Sequence, residues 1–301
     1  MKMMDCSRKS AAVLIRRPAG ATLSMMMMGG LMLANAGCGP LVSGANFKPA
    51  VVYKPGTTAP VSAEADSPES EVGPTESAGG TGTLRGKIVF DGPFTPLPPL
   101  YAKGGDVKDA AVCAAVEAPN ESVLVKDGGL ANVFIYLRKA PKEVPKVDLD
   151  ATVEFDQKNC IFKPHAMLVR VGQTVKVLNS DAVAHNTHTN GVKTTSFNTI
   201  VNPNDSVGAR LVYKQAEQEP ISVVCDIHAW MRAYHLPIDH PYAAISAEDG
   251  TFEIKDLPAG KHEFKIWHEA GGMLDKAHVV TIKPGDDNEL TFKVTPSQLV
   301  K

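Results

Sequence analysis

The sequence predicts an all-β protein, two β-sandwiches behind a long N-terminal stretch that belongs to neither. Three observations predict it. Apolar residues gather in short runs rich in β-branched and aromatic side chains, such as 84–90, 133–137 and 221–224, which suits a pleated, half-buried surface. The runs are bounded by turn formers, as in Glu248-Asp249-Gly250, Leu257-Pro258-Ala259-Gly260 and Pro284-Gly285-Asp286, where Gly supplies positive φ and Pro and Asp favour bends. No long stretch carries the 3.6-residue apolar period of an amphipathic helix, and only 106–115 reads as a short one. With 301 residues and a formal net charge of −2, the chain has room for two modest domains. Its Lys and Arg are interspersed with acids and form no basic stripe, which excludes a nucleic-acid footprint.

Residues 1–37 read as an export signal. Lys2, Arg8, Lys9, Arg16 and Arg17 make a positive start, and 19–36, with its run of four methionines, is a short apolar core ending in small residues. It is too short and too Gly-rich for a membrane span. Ala34-Asn35-Ala36 fits ordinary cleavage, whereas Ala36-Gly37-Cys38 resembles a bacterial lipobox in which Cys38 is lipidated and anchors the chain to a membrane. The second reading is favoured because 38–82 looks like a tether, rich in Pro, Ser, Thr, Gly, Ala and Glu. Such a segment buries too little surface to offset its ordering entropy, and as a coil it reaches about 35–40 Å. The expected location is therefore outside the cytoplasm, in the periplasm or cell envelope.

Ordered sequence is expected from 83. Strands are predicted over 84–90 and 133–137, and again over 242–245, 251–254, 262–267, 277–282 and 289–294. Between these two sets lies the chemistry.

Cys225-Asp226-Ile227-His228-Ala229-Trp230-Met231 follows the apolar run Ile221-Ser222-Val223-Val224. A thiolate, an imidazole and a thioether thus stand at intervals of three on one turn. A fourth donor is available in His185, at the end of the turn-rich segment that begins at Asn179. Singly, a buried Cys, a His and a Met are more often core or surface residues; together, in this spacing after a strand, they form a ligand set. Two imidazoles and a thiolate with a weak axial thioether make a blue-copper electron-transfer site. Structural zinc sites use Cys and His but not thioether sulfur, so the Met selects copper.

These residues carry a family resemblance. Phe162-Lys163-Pro164, the stretch 168–175, Asn179 and His185-Asn186 resemble the first half of a plastocyanin-type cupredoxin, and Cys225-x2-His228-x2-Met231 followed by Arg232 is most similar to the amicyanin loop. The resemblance implies a Greek-key β-sandwich over 146–238, with His185, Cys225 and His228 as equatorial ligands, Met231 as the axial ligand and Asn186 pinning the Cys loop. It also implies that His228 keeps a partly exposed edge through which electrons pass. Ala229 stands where such loops often have Pro, and Trp230 replaces a smaller aromatic. Separately, Asp249-Gly250-Thr251-Phe252-Glu253-Ile254, Leu257-Pro258-Ala259-Gly260 and Phe264-Lys265-Ile266 resemble the carboxypeptidase regulatory-like, transthyretin-like sandwich. That family opens with strands like Gly86-Lys87-Ile88-Val89 and a second like 130–137. This implies a sandwich made of 83–145 and 239–296, with the cupredoxin inserted in it, or two modules in tandem.

Of the remaining cysteines, Cys6 falls in the signal, and Cys113 and Cys160 are a natural disulfide pair for an exported protein, or else two free buried thiols. Closing a loop of about 48 residues would stabilise the fold by about 4 kcal/mol. His188 should point away from the ligand face. His165 and His268 read as structural, and His235, His240, His262 and His278 show no ligand spacing. The function expected is an exported type 1 copper protein that carries single electrons between redox partner proteins. The alternative is a copper carrier or a partner-binding scaffold. An enzyme is not expected, since multicopper enzymes wire the blue site to a second metal through His residues flanking the Cys, and here the flanks are Val224 and Asp226.

Overall fold

Four strands precede the ligand-bearing region: β1 (Thr81–Phe90), β2 (Val125–Lys126), β3 (Gly129–Leu130) and β4 (Phe134–Leu137). Nine span it: β5 (Val153–Lys158), β6 (Ile161–Lys163), β7 (Ala166–Arg170), β8 (Thr174–Asn179), β9 (His185–Asn190), β10 (Asn198–Val201), β11 (Asp205–Val212), β12 (Ile221–Val224) and β13 (Arg232–Ile238). Five follow: β14 (Ala243–Ile245), β15 (Thr251–Pro258), β16 (Gly260–His268), β17 (Gly272–Ile282) and β18 (Asp287–Val294). The structure is a computed structural model that describes residues 79–299 apart from positions 147 and 286. The export signal, Cys38 and the tether as far as residue 78 lie outside the described residues.

The middle nine strands form one sandwich. One sheet runs β10-β9-β12-β13-β7 and the other β11-β8-β5-β6, with β5 parallel to β8 and β7 parallel to β13. Period-two alternation aims Met167 and Val169 of β7, and Val175 and Val177 of β8, into the space between the sheets. There they meet Phe155, Val223 and Ala233, all three fully buried. The other strands build a second sandwich. Its first sheet runs β15-β1-β3-β2, with β18 also paired to β1; its second runs β14-β4-β16-β17. In both sheets a strand from before the nine is flanked by strands from after them: β1 lies against β15 and β18, and β4 against β14 and β16. Leu84, Ile88, Ile135, Phe264 and Ile266 fill this core.

The two sandwiches share a third cluster. The outward side chains Leu236 and Ile238 of β13 pack on Phe134 and Tyr136 of β4 and Trp267 of β16, with Leu168 and Tyr234 against them. Both faces of β13 are therefore covered, the inward one carrying Ala233, His235 and Pro237. Burying a side chain of that size contributes about 1.5–3 kcal/mol.

Several boundaries differ from the sequence reading. β1 starts at Thr81 because Thr81 and Gly82 pair with Pro258 and Leu257. Gly82 is needed there, since a Cβ would stand 2.4 Å from the Lys283 carbonyl oxygen. The single strand expected over 130–137 is split between sheets: Asn132 takes φ 59°, and Val133 N–H donates to Ser246 Oγ at 3.0 Å. The helix expected over 106–115 is only α1 (Ala110–Cys113), because Asp109 sits in the left-handed region at φ 55° and blocks extension toward Asp106. Cys113 and Cys160 form a disulfide, which fastens α1 to the turn between β5 and β6.

Candidate metal centre

The alternation of β12 places Cys225. Ile221 and Val223 face the core, and Cys225, two residues on, continues the same face as the one free cysteine among the described residues. The loop then folds back. Met231 N–H donates to the His228 carbonyl at 2.9 Å and Cys225 N–H to the Met231 carbonyl at 3.3 Å. That closure turns both His228 and Met231 inward, each at most 1% exposed. His185 opens β9, and its approach is held by Asn179, whose Nδ2 donates to the carbonyls of Val183, Val201 and Asn202 at 2.8, 3.1 and 3.0 Å.

His185, Cys225 and His228 converge, and their ligand atoms lie within 4.8 Å of one another with all three residues buried. The two Nδ1 atoms are 2.9 Å apart, and the Cys225 sulfur is 3.8 Å from His228 Nδ1. Both rings present their outer nitrogen to a carboxylate. His185 Nε2 is 3.0 Å from Asp181 Oδ2, and His228 Nε2 is 2.9 Å from Asp109 Oδ2. A carboxylate can only accept, so each Nε2 carries a proton and each Nδ1 faces inward, offering a lone pair when its ring is neutral and a proton when its ring is charged. Two lone pairs and a sulfur then face one space, which fits a cation. A proton is the simplest cation to take that place. Burial disfavours a charged ring at His185, but Asp181 and then Cys225 outweigh it and push its pKa up to about 8. Burial likewise opposes ionisation of Cys225. The hydrogen bonds from His185 and His228, with the amides of Asn186 and His228, outweigh it and pull the thiol down to about 6.

Around this group the loop is braced. Asn186 Oδ1 accepts from Asp226 N–H at 2.7 Å and from the Cys225 thiol at 3.4 Å, while its Nδ2 donates to Asp226 Oδ2 at 2.8 Å. Asp181 accepts from the amides of Asn159 and Cys160 at 2.7 and 2.8 Å. Burial would raise its pKa, yet His185 and these amides hold it below the usual carboxylate range. Cys160, Asp181 and His185 are also mutually close, but the Cys160 sulfur is committed to its disulfide. His188 points outward and sets its Nδ1 3.1 Å from Asp226 Oδ1. His165 is apart from the group, between Glu121 and Glu269, and His268 is fully buried elsewhere.

Two features escaped the sequence reading. Asp181 had a local signal, an acid four residues before His185 at a strand end. Asp109 had none, being 119 residues from His228 in sequence. Its arrival overturns one expectation: His228 shows no exposed edge and is 0% accessible, because the disulfide-fastened segment around α1 covers it.

No protein-family model matches the chain, and no curated protein matches it. Among solved structures it is similar to a purple cupredoxin from Nitrosopumilus maritimus, at 19% identity over 29% of this chain and 99% of that one, TM-score 0.24. A Cu-containing nitrite reductase from Thermus scotoductus is 18% identical over 32% of this chain and 25% of that one, TM-score 0.27. An oxidized amicyanin with a proline-to-alanine substitution is 20% identical over 30% of this chain and 84% of that one, TM-score 0.26.

Proposed function

We propose that the chain is an exported type 1 copper protein that carries single electrons. The observation that carries this reading is the inward turn of both imidazoles: with each Nε2 held by a carboxylate, the two Nδ1 lone pairs and the Cys225 sulfur share one buried space. His185, Cys225 and His228 would hold the ion, with Met231 as the weak fourth donor; soft sulfur with imidazole suits copper. Copper bound there would cycle between Cu(II) and Cu(I). The residues of this chain supply what keeps such cycling fast. Asp181 and Asp109 fix the rings, Asn186 fixes the loop, and the apolar side chains of Ile227 and Trp230 exclude water. No His flanks Cys225, so the reading assigns no second metal and no enzymatic step. Export fits the Cys113–Cys160 disulfide, since such bonds persist in oxidising compartments, and Cys38 would supply the membrane anchor.

The complete burial of His228 favours the alternative, a copper-binding carrier or partner-binding scaffold without an electron-transfer role, because a covered ligand lengthens the path an electron takes to a partner. Repeated cycling of the copper-loaded protein with one-electron reductants and oxidants separates the two. The electron-carrier reading expects full, reversible colour changes with no copper released to a chelator. Metal loss on reduction, or a centre that one-electron reagents do not change, would assign it to the alternative.

A further inference from the structure

The outward face of β7 ends in a charge. Ala166 and Leu168 of that face pack in the seam between the sandwiches, and Arg170, two residues on, continues it. Its backbone is pinned. Arg170 N–H donates to Gln173 Oε1 at 3.2 Å, Gln173 N–H returns a bond to the Arg170 carbonyl at 2.9 Å, and Gln173 Nε2 donates to the Ala151 carbonyl at 3.1 Å. The guanidinium has no such support. Nε and Nη1 are both buried and neither has a hydrogen-bond partner, although buried side-chain donors are as a rule satisfied. Burial holds the Arg170 pKa below its ordinary value, against the pull of Asp239.

The same residue lines a cavity of about 300 Å³. Val144, Pro145 and Leu149 of its wall come from the connection between β4 and β5, Val171 from the turn after β7, and Ile238 from the end of β13. All five are apolar. Asp239 completes the lining, but it is exposed and bonds to neither buried nitrogen. His240 is within Coulombic range of Arg170, and burial lowers its pKa and keeps the ring neutral, so it adds no second cation.

These features narrow the occupant. A buried guanidinium without acceptors calls for an anion, and its planar fork matches a carboxylate. One cation beside an exposed Asp disfavours a dianion such as phosphate. Apolar walls favour an aliphatic body over a bare inorganic ion, and the volume, at the small end for ligand cavities, holds a body of about four to six carbons. We infer that this cavity binds a small aliphatic monocarboxylate, with its carboxylate on the Arg170 guanidinium and its chain against Val144, Leu149 and Ile238. The cavity shares no residue with the metal-ligand group, and the inference is tested without copper.

The test follows the assigned Arg170 Nε–H signal of the metal-free, full-length chain by NMR during titration with 3-methylbutanoate, 3-methylbutanamide, acetate and nitrate. The signal should shift saturably with 3-methylbutanoate at a Kd of about 1 mM, the range open to a fragment of this size. The amide lacks the charge that the guanidinium calls for, and acetate and nitrate leave the apolar walls uncovered, so each should bind at least about tenfold more weakly. Leu149→Ala trims an exposed wall residue; it should weaken 3-methylbutanoate about fivefold and leave acetate unchanged. Arg170→Gln should abolish binding, read on the Val171 backbone amide, while an unchanged Trp267 indole signal reports an intact seam. Should Arg170→Gln fail to fold, the four probes and Leu149→Ala decide the matter with the guanidinium in place. No saturable shift with 3-methylbutanoate, binding of the amide, acetate or nitrate as tight as that of 3-methylbutanoate, or full binding to either variant would overturn the proposal.

Discussion

Asp109 and His228 meet at 2.9 Å through Oδ2 and Nε2, and the meeting seals an imidazole that the loop sequence alone would leave at the surface. Asp109 is held there by its left-handed backbone and by the disulfide four residues on. It fixes the tautomer of His228, so it acts on the metal group through that ring. Replacing Asp109 with Ala should lower copper affinity about 10–100-fold, read by competition with a chelator. Affinity within twofold of the parent would show that the loop orients His228 unaided.

Asn186 links β9 to the loop through Asp226. In Asn186→Ala the Asp226 amide loses its 2.7 Å acceptor and the Asp226 carboxylate loses a donor at 2.8 Å. The metal-free protein should lose about 1–3 kcal/mol in denaturant titration. A loss below about 0.5 kcal/mol would mean that water satisfies both groups.

Removing the disulfide as Cys113→Ala with Cys160→Ala should cost about 2–4 kcal/mol in the chain-entropy account. It should also speed alkylation of Cys225 in the metal-free protein, since α1 no longer pins Asp109 over His228. Unchanged alkylation would place the cover's stability in Tyr101 and Trp230 instead.

Acid should act through His235. It is fully buried, with Tyr213 Oη on its Nδ1 at 2.8 Å, and burial lowers its pKa to about 3. The folded pKa lies below the unfolded value of about 6.5, so above that pH neither state binds the proton and His235 contributes no pH dependence. As pH falls below about 6.5 the unfolded chain takes the proton and the folded one does not. Stability should drop by about 1.4 kcal/mol per pH unit from this residue down to about pH 3. His235→Gln keeps an acceptor for Tyr213 but cannot be charged, so its stability should fall less steeply over that range in denaturant titrations at stepped pH. An unchanged slope would assign the acid sensitivity to other groups, such as His268, which burial lowers to about 4.

What could be read from the sequence was local. Cys225, His228 and Met231 lie on one turn, and the strand before them alternates cleanly, so their inward placement follows from period and spacing. The turn signals at Asp249-Gly250 and Pro284-Gly285 likewise mark real strand ends. What could not be read depends on distant chain. The break at Asn132 needs a left-handed residue between two sheets, which a run of apolar residues conceals. Asp109 comes from the segment between β1 and β2 and meets His228 across 119 residues of sequence. The cavity beside Arg170 is walled by three separate stretches of chain, and no spacing rule joins them.

The central claim is that Cys225 and the two inward-turned imidazoles hold copper through a thiolate bond. The visible absorption spectrum of the protein with added Cu(II), beside that of Cys225→Ser, tests it most directly. The account predicts an intense thiolate-to-copper charge-transfer band in the parent that bleaches with reductant and is missing from the variant. A parent protein that stays colourless, or a band that survives in Cys225→Ser, would contradict it.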